Sequence, residues 1–309
     1  MTLAEIIFIL TGTCAVLVFG GKLVCLLMML VPKLFCPLPE SFFTTLGKWA
    51  GEKHQHFKFY FLYFCLSKLG MSVIIISRNQ EKLDRAARKL GKAFTLTTGQ
   101  EVKVIAADFT KDDIYGHIQE NTKGLDIGIL VNNVGILPSQ IPCKLLETSD
   151  LEERFNNVLT SFLRIQMCRI VLPGMQQRFG RGVILNVSSG IAKIPCPIYT
   201  LYAASKVFVE RFSQGLQAEY KSKGIIIQTV APFGVSTPMT GHQKPDMVTF
   251  TPEEFARSSL KYLKVGDQTY GSVTHTILGG IVQSIPTWVL QSKAFQHHFR
   301  EYVKERVRS

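Results

Sequence analysis

The sequence predicts an α/β fold, with helices on both faces of a doubly wound, parallel, Rossmann-like sheet and a membrane-anchoring helix in front of it. Three observations predict this. Short apolar runs alternate with helical stretches from residue 70 onward, polar residues or glycines follow several of these runs, and the first 31 residues are almost wholly apolar. Strands that alternate with helices favour parallel pairing, because parallel neighbours need a long crossover connection.

The amino-terminal apolar run covers residues 6–31, and about 20 apolar residues are needed to cross a bilayer. A signal peptide would begin with a basic leader, whereas this chain begins with Met-Thr-Leu-Ala-Glu. We therefore expect an uncleaved anchor within residues 1–45 and one folded domain over residues 46–309. Two lysines that follow the run favour a cytoplasmic position for this domain.

Apolar runs and the stretches between them define the predicted elements of the folded domain. The predicted strands cover residues 72–76, 102–107, 127–131, 182–187 and 225–230, and the predicted helices cover residues 80–92, 111–122, 150–178 and 200–222. A further apolar stretch, residues 277–290, is too short to span a bilayer and contains a glutamine and a proline. It is either a buried or interfacial segment near an apolar substrate entrance, or an ordinary core helix.

Composition limits the classes of function. The chain has 309 residues, of which 46% are hydrophobic, so global disorder is excluded. Its net charge of +12 suits an anionic membrane surface or a phosphate-bearing cofactor. We expect no nucleic-acid partner, because the basic residues are dispersed rather than concentrated in one stripe. The seven cysteines include no C-x-x-C pair, and neither a disulfide framework nor a metal site is indicated.

The most informative spacing is that of Tyr202, Lys206 and Ser189. Tyr202 and Lys206 are four residues apart in a predicted helix and therefore share one face of it. A cation beside a phenol lowers the pKa of the phenol below its usual value of about 10, so that it can exchange a proton with a carbonyl oxygen near neutral pH. Ser189 follows a predicted strand, at the edge of the sheet where ligands bind, and could hold the same oxygen.

Other residues at strand ends suggest a nucleotide cofactor. Arg78 follows the strand at 72–76, where an arginine accommodates the 2′-phosphate of NADP, although a solvated loop arginine is the alternative. Asp108 could accept a hydrogen bond from an adenine amino group, or it could cap a helix at 109–113. Asn133 and Gly135 follow the strand at 127–131, where glycine lets backbone pass close to a ligand; a plain turn is the alternative.

These residues together resemble the short-chain dehydrogenase/reductase family over about residues 46–260. The motifs that carry the resemblance are Tyr202-x-x-x-Lys206, Ser189, Asn132-Asn133-Val134-Gly135, Asp108 and Pro232-x-x-Val235-x-Thr237. The resemblance implies that Tyr202 is the general acid, that Lys206 lowers its pKa and holds the nicotinamide ribose, and that Ser189 positions the ketone oxygen. It also implies that Asn157 supports a proton-relay water, and that Val235 and Thr237 contact the nicotinamide carboxamide.

Within the family, the chain resembles membrane-bound members that use NADPH at the endoplasmic reticulum to reduce the 17-keto group of androstenedione to give testosterone. The stretches that suggest this are residues 107–115, 129–135, 185–192 and 235–239, together with the apolar amino terminus. The resemblance therefore implies NADPH as the cofactor, a steroid as the substrate and a membrane as a partner. A homodimer is also considered, because members of this family often pair through long helices.

The chain departs from the family in two places. The family's first strand leads into Thr-Gly-x-x-x-Gly-Ile-Gly, whereas no glycine occurs here from residue 52 through 69. Such glycines let backbone N–H groups and a helix N-terminus reach the pyrophosphate. In addition, Asn157 lies 45 residues before Tyr202, which is a few more than the family usually shows, so Asn156, Asn157 or neither supplies the relay.

Four interpretations follow from this mixture of agreement and departure. The first is a membrane-anchored, NADPH-dependent ketosteroid reductase, and the second is a non-catalytic or cofactor-impaired steroid-binding relative. In the third, residues 51–65 come from a gene-model error, such as translation of an intron or a wrong exon, and the first interpretation then holds for the real protein. The fourth is a long-chain 3-oxoacyl-CoA reductase, although the carboxyl terminus lacks the dilysine ending that would favour it.

Overall fold

A computed structural model of the chain describes most of its residues. The described ranges are 2–35, 41–46, 48–53, 65–94, 100–109, 113–133, 135, 137, 139–148, 151, 163–178 and 181–308. The strands are β1 (Trp49–Lys53), β2 (Ser72–Ser77), β3 (Val102–Ala106), β4 (Ile127–Asn132), β5 (Gly182–Val187), β6 (Ile225–Val230) and β7 (Gln268–Thr269). The helices are α1 (Leu3–Phe35), α2 (Ser41–Thr44), α3 (Gln80–Phe94), α4 (Ile114–Thr122), α5 (Leu163–Gln177), α6 (Thr200–Tyr220), α7 (Pro252–Lys261), α8 (Val273–Ser284), α9 (Thr287–Leu290) and α10 (Lys293–Arg308).

The strands form one seven-stranded sheet in the order β3-β2-β1-β4-β5-β6-β7, and every neighbouring pair is parallel. The order reverses between β1 and β4, which is the point where open α/β sheets bind ligands at the carboxyl ends of their strands. The predicted Rossmann-like fold is therefore confirmed.

All five predicted strands are present, within one residue of the predicted ends. The predicted helices at 80–92 and 200–222 correspond to α3 and α6, and α6 continues as a 3₁₀ turn over Lys221–Lys223. The helix predicted at 111–122 begins at Ile114, and residues 110–112 lie outside the described part. The helix predicted at 150–178 includes α5, whereas residues 152–162 are not among those described.

β1 occupies the centre of the sheet, although the sequence gives it no continuous apolar run. Glu52 and Lys53 belong to this strand, and they pair with Ile75 and Ile76 of β2 and with Val131 and Asn132 of β4. Backbone hydrogen bonds to both neighbours hold the strand in the position of a first Rossmann strand. The residues that follow it, 54–64, lie outside the described residues.

The core lies on both faces of the sheet because side chains alternate along each strand. Leu130 of β4 belongs to a cluster with α4 and α5, whereas its neighbours Ile129 and Val131 face a cluster that contains Phe255 and Leu260 of α7. β2 is buried along its whole length, as expected for an inner strand of a sheet with two covered faces. This double covering fixes the carboxyl edge of the sheet.

α1 is long, apolar and exposed. Its 33 residues correspond to about 50 Å at 1.5 Å per residue. Within the described part of the chain it is the one helix long and apolar enough to cross a membrane, and the window Ala4–Gly21 has a mean hydropathy of 2.0 with none of it buried. This agrees with the apolar run expected at residues 6–31. The division into an anchor at 1–45 and a domain at 46–309 stays a prediction.

The second apolar stretch, residues 277–290, lies in α8 and α9, and α8 has a buried side and an exposed side. His275, Thr276 and Gly279 of α8 are buried, whereas Ile277 and Ile281 are exposed. α8 contacts α1 and the short 3₁₀ helix at Gly190–Lys193. The stretch is therefore not a wholly buried core helix, and its buried side reaches the neighbourhood of Ser189.

Candidate active site

Tyr202 and Lys206 lie one turn apart on α6, as their spacing predicts. The Lys206 Nζ atom is 5.5 Å from the centre of the Tyr202 ring and donates a hydrogen bond of 3.2 Å to the carbonyl oxygen of Val187. Lys206 is only 5% exposed, whereas Tyr202 is half-buried. A buried ammonium is costly unless it is paired, and a nearby phenolate oxygen is one group that would balance its charge.

A neighbouring tyrosine provides a contrast with Tyr202. Tyr199 donates a hydrogen bond of 2.9 Å to the carbonyl oxygen of Gln140, and its ring packs edge-on against that of Tyr202, with 6.3 Å between the ring centres. Burial raises the pKa of the Tyr199 phenol well above its usual value. Tyr199 therefore stays protonated, and Tyr202 is the tyrosine of this pair that lies beside the lysine.

Gly135 leaves the space that Lys206 occupies. A β-carbon built on Gly135 would lie 2.8 Å from Nζ and 3.5 Å from Cε of Lys206, so a larger residue would displace the end of the lysine. The group that approaches Gly135 is thus the Lys206 side chain, whereas the predicted approach of this backbone to a ligand stays a prediction.

Ser189 lies just beyond β5 and begins the short helix Gly190–Lys193. Its Oγ atom is 3.5 Å from the carbonyl oxygen of Pro232, to which it donates, and 3.5 Å from the backbone nitrogen of Ile191, from which it accepts. Both contacts lie at the long limit for hydrogen bonds. The hydroxyl can therefore exchange them for a shorter bond to a ligand oxygen.

These side chains open into one cleft. The predicted site residues that line it are Asn133, Gly135, Ser189, Tyr202, Lys206, Val235 and Thr237. Six further residues line the same cleft: Val187, Ser188, Pro232, Phe233, Met239 and Thr240. The structure thus brings together residues from β4, β5, α6 and the segment after β6, all at the carboxyl edge of the sheet.

The remaining predicted residues lie elsewhere. Arg78 is exposed and directly follows β2, and Asp108 is half-buried beyond β3, so both stand at the carboxyl edge of the sheet. The N-cap of α4 is Asp113, five residues after Asp108. The alternative in which Asp108 caps a helix at 109–113 stays a prediction, because residues 110–112 lie outside the described residues. Asn156 and Asn157 lie outside the described residues.

A buried polar network connects the end of β5 to α6. Ser188 donates to the backbone carbonyl of Lys206 at 3.0 Å and to Glu210 at 3.3 Å. Glu210 in turn forms an ion pair of 2.7 Å with Lys193, and the two side chains are 8% and 16% exposed. Lys193 also donates to Gln268 of β7 at 2.5 Å. The network fixes the strand end that carries Ser189 against the helix that carries Tyr202.

A second polar chain joins β4 and β5 to the same helix. Asn132 donates to Asn186 at 2.9 Å, Asn186 donates to Ser213 at 2.8 Å, and Ser213 donates to the backbone carbonyl of Val209 at 2.7 Å. The side chains of Asn132, Asn186 and Ser213 are buried, and their hydrogen bonds favour one arrangement of the elements that carry them, although the Asn132 Oδ1 atom has no hydrogen-bond partner among the described residues. Asn132 therefore has a structural role beside its neighbour Asn133, which lines the cleft.

His275 is a buried residue that the sequence analysis did not identify. Its Nδ1 atom accepts from the backbone N–H of Phe233 at 3.4 Å, and its Nε2 atom is 2.8 Å from the carbonyl oxygen of Val248. These partners require a neutral ring that carries its proton on Nε2, and burial lowers the pKa of His275, which favours that form. His275 thereby fixes both ends of the segment that carries Val235 and Thr237.

The residues present fit a nicotinamide at one end of the cleft. Asn133, Tyr202, Lys206 and Thr237 line the cleft with groups that can form hydrogen bonds to a ligand. Residues 54–64, which follow β1 in the sequence, lie outside the described residues. No group of three or more His, Cys, Asp or Glu side chains in the described part of the chain could hold a metal ion.

Comparison with known families explains this arrangement. The family model for short chain dehydrogenases matches residues 64–248, which include Ser189, Tyr202 and Lys206. The chain is a member of the short-chain dehydrogenase family. The match begins at residue 64, inside the stretch from 52 through 69 that contains no glycine.

Full-length relatives point to a narrower group within this family. The chain is 77% identical to 17-beta-hydroxysteroid dehydrogenase type 3 of Danio rerio over 313 aligned positions, which cover 100% of both proteins. It is 42% identical to the type 3 enzyme of Homo sapiens, with 97% of this chain and 96% of the relative covered. It is also 43% identical to very-long-chain 3-oxoacyl-CoA reductase of Anas platyrhynchos, with 72% and 70% covered.

Solved structures of low sequence identity share the fold. A short-chain dehydrogenase from Sphingobium yanoikuyae in complex with NADPH has a TM-score of 0.62 at 22% identity, with 71% of this chain and 87% of that chain covered. A 7beta-hydroxysteroid dehydrogenase has a TM-score of 0.63 at 20% identity, with 85% and 99% covered. At these identities the likeness concerns the fold alone.

Proposed function

We propose that this chain is an NADPH-dependent reductase that converts a 17-ketosteroid of the androstenedione type into the corresponding 17-hydroxysteroid. The observation that carries the proposal is the convergence of Tyr202, Lys206 and Ser189 on one cleft. The 77% identity to a 17-beta-hydroxysteroid dehydrogenase type 3 over the whole chain supports this substrate class. A purely steroid-binding protein would not need an acid, a cation and a hydroxyl facing the same space.

The chain's own residues can supply the proton and the orientation of the substrate. Ser189 donates a hydrogen bond to the ketone oxygen, and Tyr202 gives that oxygen its proton as the carbonyl becomes an alcohol. The ammonium of Lys206 stabilises the phenolate that remains on Tyr202. NADPH, when bound, supplies the hydride that the carbonyl carbon receives.

Several residues would hold the cofactor. Lys206 and Tyr202 would bind the nicotinamide ribose, Val235 and Thr237 would contact the carboxamide, and Asn133 with Gly135 would border the same end. Asp108 would accept from the adenine amino group. Arg78 would bind the 2′-phosphate, which favours NADPH over NADH because the guanidinium can form two hydrogen bonds to a phosphate.

The segment at 54–64 sets the strength of cofactor binding. Without the family's glycines, we expect the pyrophosphate to lose backbone contacts worth about 4 kcal/mol, which corresponds to an affinity about a thousandfold lower. A fluorescence titration of the full chain with NADPH measures this affinity. Tight binding of NADPH would contradict the expected loss of backbone contacts. Sequencing a cDNA across codons 50–66 decides whether the segment belongs to the protein at all.

A very-long-chain 3-oxoacyl-CoA reductase is the second candidate, because relatives with that activity in their names are 38–43% identical. They cover 72–78% of the chain, whereas the type 3 steroid relatives cover 88–100%. The steroid interpretation therefore accounts for more of the sequence. The apolar cleft residues Phe233, Val235 and Met239 suit a rigid apolar ligand.

The proposal also includes the location of the protein in the cell. We infer that α1 anchors the protein in the membrane of the endoplasmic reticulum and that the cleft faces the cytoplasm, where NADPH is available. The exposed apolar surface of α1 supports an anchor, because such a surface is unfavourable in water.

A direct assay separates the candidates. The full chain is expressed in membranes that lack these activities and is incubated with NADPH and either androstenedione or a long-chain 3-oxoacyl-CoA. We expect testosterone from the first substrate and little product from the second. Reduction of the acyl-CoA alone would support the second candidate. If neither substrate reacts and radiolabelled androstenedione still binds, the chain is a binding protein.

A further inference from the structure

Three large apolar side chains are exposed on the carboxyl-terminal part of the domain. Ile277 and Ile281 of α8 are 40% and 59% exposed, and Trp288 of α9 is 74% exposed. The two isoleucines are four residues apart and therefore lie on one face of the helix. Together these three side chains form what we call the α8–α9 surface.

The α8–α9 surface belongs to a helix that contacts α1. α1 is the helix whose window Ala4–Gly21 has the length and hydropathy of a membrane span. Packed helices have axes about 8–10 Å apart, so a helix that touches α1 lies close to the bilayer that α1 would enter. The helix that carries Ile277 and Ile281 thus lies beside the proposed anchor.

We propose that the α8–α9 surface rests in the interfacial layer of the same phospholipid bilayer that α1 crosses. Isoleucine gains from leaving water, and tryptophan concentrates at the level of the lipid headgroups. The net charge of +12 of the whole chain suits anionic headgroups. This proposal rests on the proposed membrane anchor and adds a second, peripheral contact to it.

The opposite side of α8 reaches the cleft. A β-carbon on Gly279 would lie 2.3 Å from the Tyr270 ring, so the ring packs directly against the helix backbone. The Tyr270 ring stacks in turn on Phe233, with 5.6 Å between the ring centres, and Phe233 lines the cleft. Contact of α8 with lipid would therefore hold the cleft next to the phase in which an apolar substrate dissolves.

The two tryptophans of the chain allow a direct test, because Trp288 lies on the α8–α9 surface and Trp49 lies in β1 at the centre of the sheet. The full chain is reconstituted in vesicles of phosphatidylcholine and phosphatidylserine, with or without bromine on the acyl chains. Emission from Trp288 is the difference between the unchanged chain and the Trp288→Phe variant. We expect brominated lipid to quench most of that difference and aqueous acrylamide to quench little of it.

Substitutions with a matched control show which side chains hold the surface in lipid. The double variant Ile277→Ser/Ile281→Ser should lose at least half of the quenching of Trp288 by brominated lipid. Ile165 of α5 is 39% exposed, nearly the same as Ile277, but it lies on a different helix. The Ile165→Ser variant should therefore keep the quenching unchanged.

Each outcome of the test either supports or contradicts the proposal. Flotation of the same vesicles reports on α1 separately. If the chain does not float with the vesicles, both the anchor and the α8–α9 contact are wrong. If it floats but acrylamide quenches Trp288 and brominated lipid does not, the anchor stands and the contact is wrong. Protection of Trp288 from both quenchers would assign the surface to a second copy of the chain and would also contradict the proposal.

Discussion

A β-carbon on Gly135 would lie 2.8 Å from the Nζ atom of Lys206, so the turn after β4 directly limits where the lysine can be. The contact joins two parts of the chain that are 71 residues apart in sequence. Because Lys206 stands beside Tyr202, the size of residue 135 sets the position of the cation that favours the phenolate.

Gly135→Ala should reduce turnover without unfolding the protein. The contact is with the flexible end of a lysine, which can move, so we expect less than about 1 kcal/mol of lost stability. Displacement of the cation should lower kcat up to about a hundredfold, because misplacement by about 1 Å can cost that much. Steady-state kinetics and thermal unfolding measure the two effects.

The matched control for this variant is Gly215→Ala. Gly215 lies in α6, and a β-carbon there would meet nothing within 4 Å. The variant should keep full activity and gain about 0.5–1 kcal/mol, because alanine is the better helix former. If both alanine variants behave alike, the contact with Lys206 has no role in turnover.

Glu210→Gln should be strongly destabilising, because it leaves the charge of Lys193 without its partner in a mostly buried place. Breaking such a pair costs about 3–5 kcal/mol, whereas replacing both partners costs much less. We therefore expect Lys193→Met/Glu210→Met to be more stable than Glu210→Gln. Denaturant unfolding of Glu210→Met, Lys193→Met and the double variant gives the coupling energy, and purely additive effects would show that the pair is not coupled.

His275 should make stability depend on pH in a definite direction. Burial lowers the pKa of His275 in the folded chain, so the unfolded chain binds a proton more readily. The contribution of neutral His275 to the free energy of unfolding is therefore complete above about 6.5, the pKa of histidine in the unfolded chain. This contribution is lost as the pH falls below that value. The difference in unfolding free energy between the unchanged chain and His275→Gln should be larger at pH 7.5 than at pH 5.5. A difference that grows toward low pH would contradict a neutral His275.

Arg78→Asp should change the preferred cofactor. If Arg78 binds the 2′-phosphate as proposed, loss of the guanidinium removes charged hydrogen bonds to that group, and a carboxylate would repel it. We expect the ratio of kcat/KM for NADPH to that for NADH to fall about 10- to 100-fold. Arg88 of α3 is exposed as well, and Arg88→Asp serves as the control that should leave the ratio unchanged. An unaltered ratio in Arg78→Asp would make Arg78 an ordinary surface residue.

The sequence was sufficient for the parts of the fold that have local signals. β2, β4 and β5 each contain an apolar run, because both faces of an inner strand are buried. β1 gives no such run, since Glu52 and Lys53 interrupt it, and its place depends on pairing with neighbours on both sides. β7 has only two residues, too few for a pattern.

In the candidate active site, too, residues with a local sequence signal were predicted, and residues whose partners are distant in sequence were not. Tyr202, Lys206 and Ser189 were found because their spacing along one helix and one strand end is readable in the sequence. His275 was missed because its partners, Phe233 and Val248, are 42 and 27 residues away, and a single histidine in an apolar stretch carries no local signal. The network of Ser188, Glu210 and Lys193 was missed for the same reason.

The most direct test of the central claim is the rate of androstenedione reduction by Tyr202→Phe with NADPH at saturating concentration. If Tyr202 gives the carbonyl its proton, the rate should fall about 100- to 10,000-fold while the melting temperature stays unchanged, because only the hydroxyl is removed. A rate equal to that of the unchanged chain would show that the proton comes from another group and would contradict the proposed mechanism.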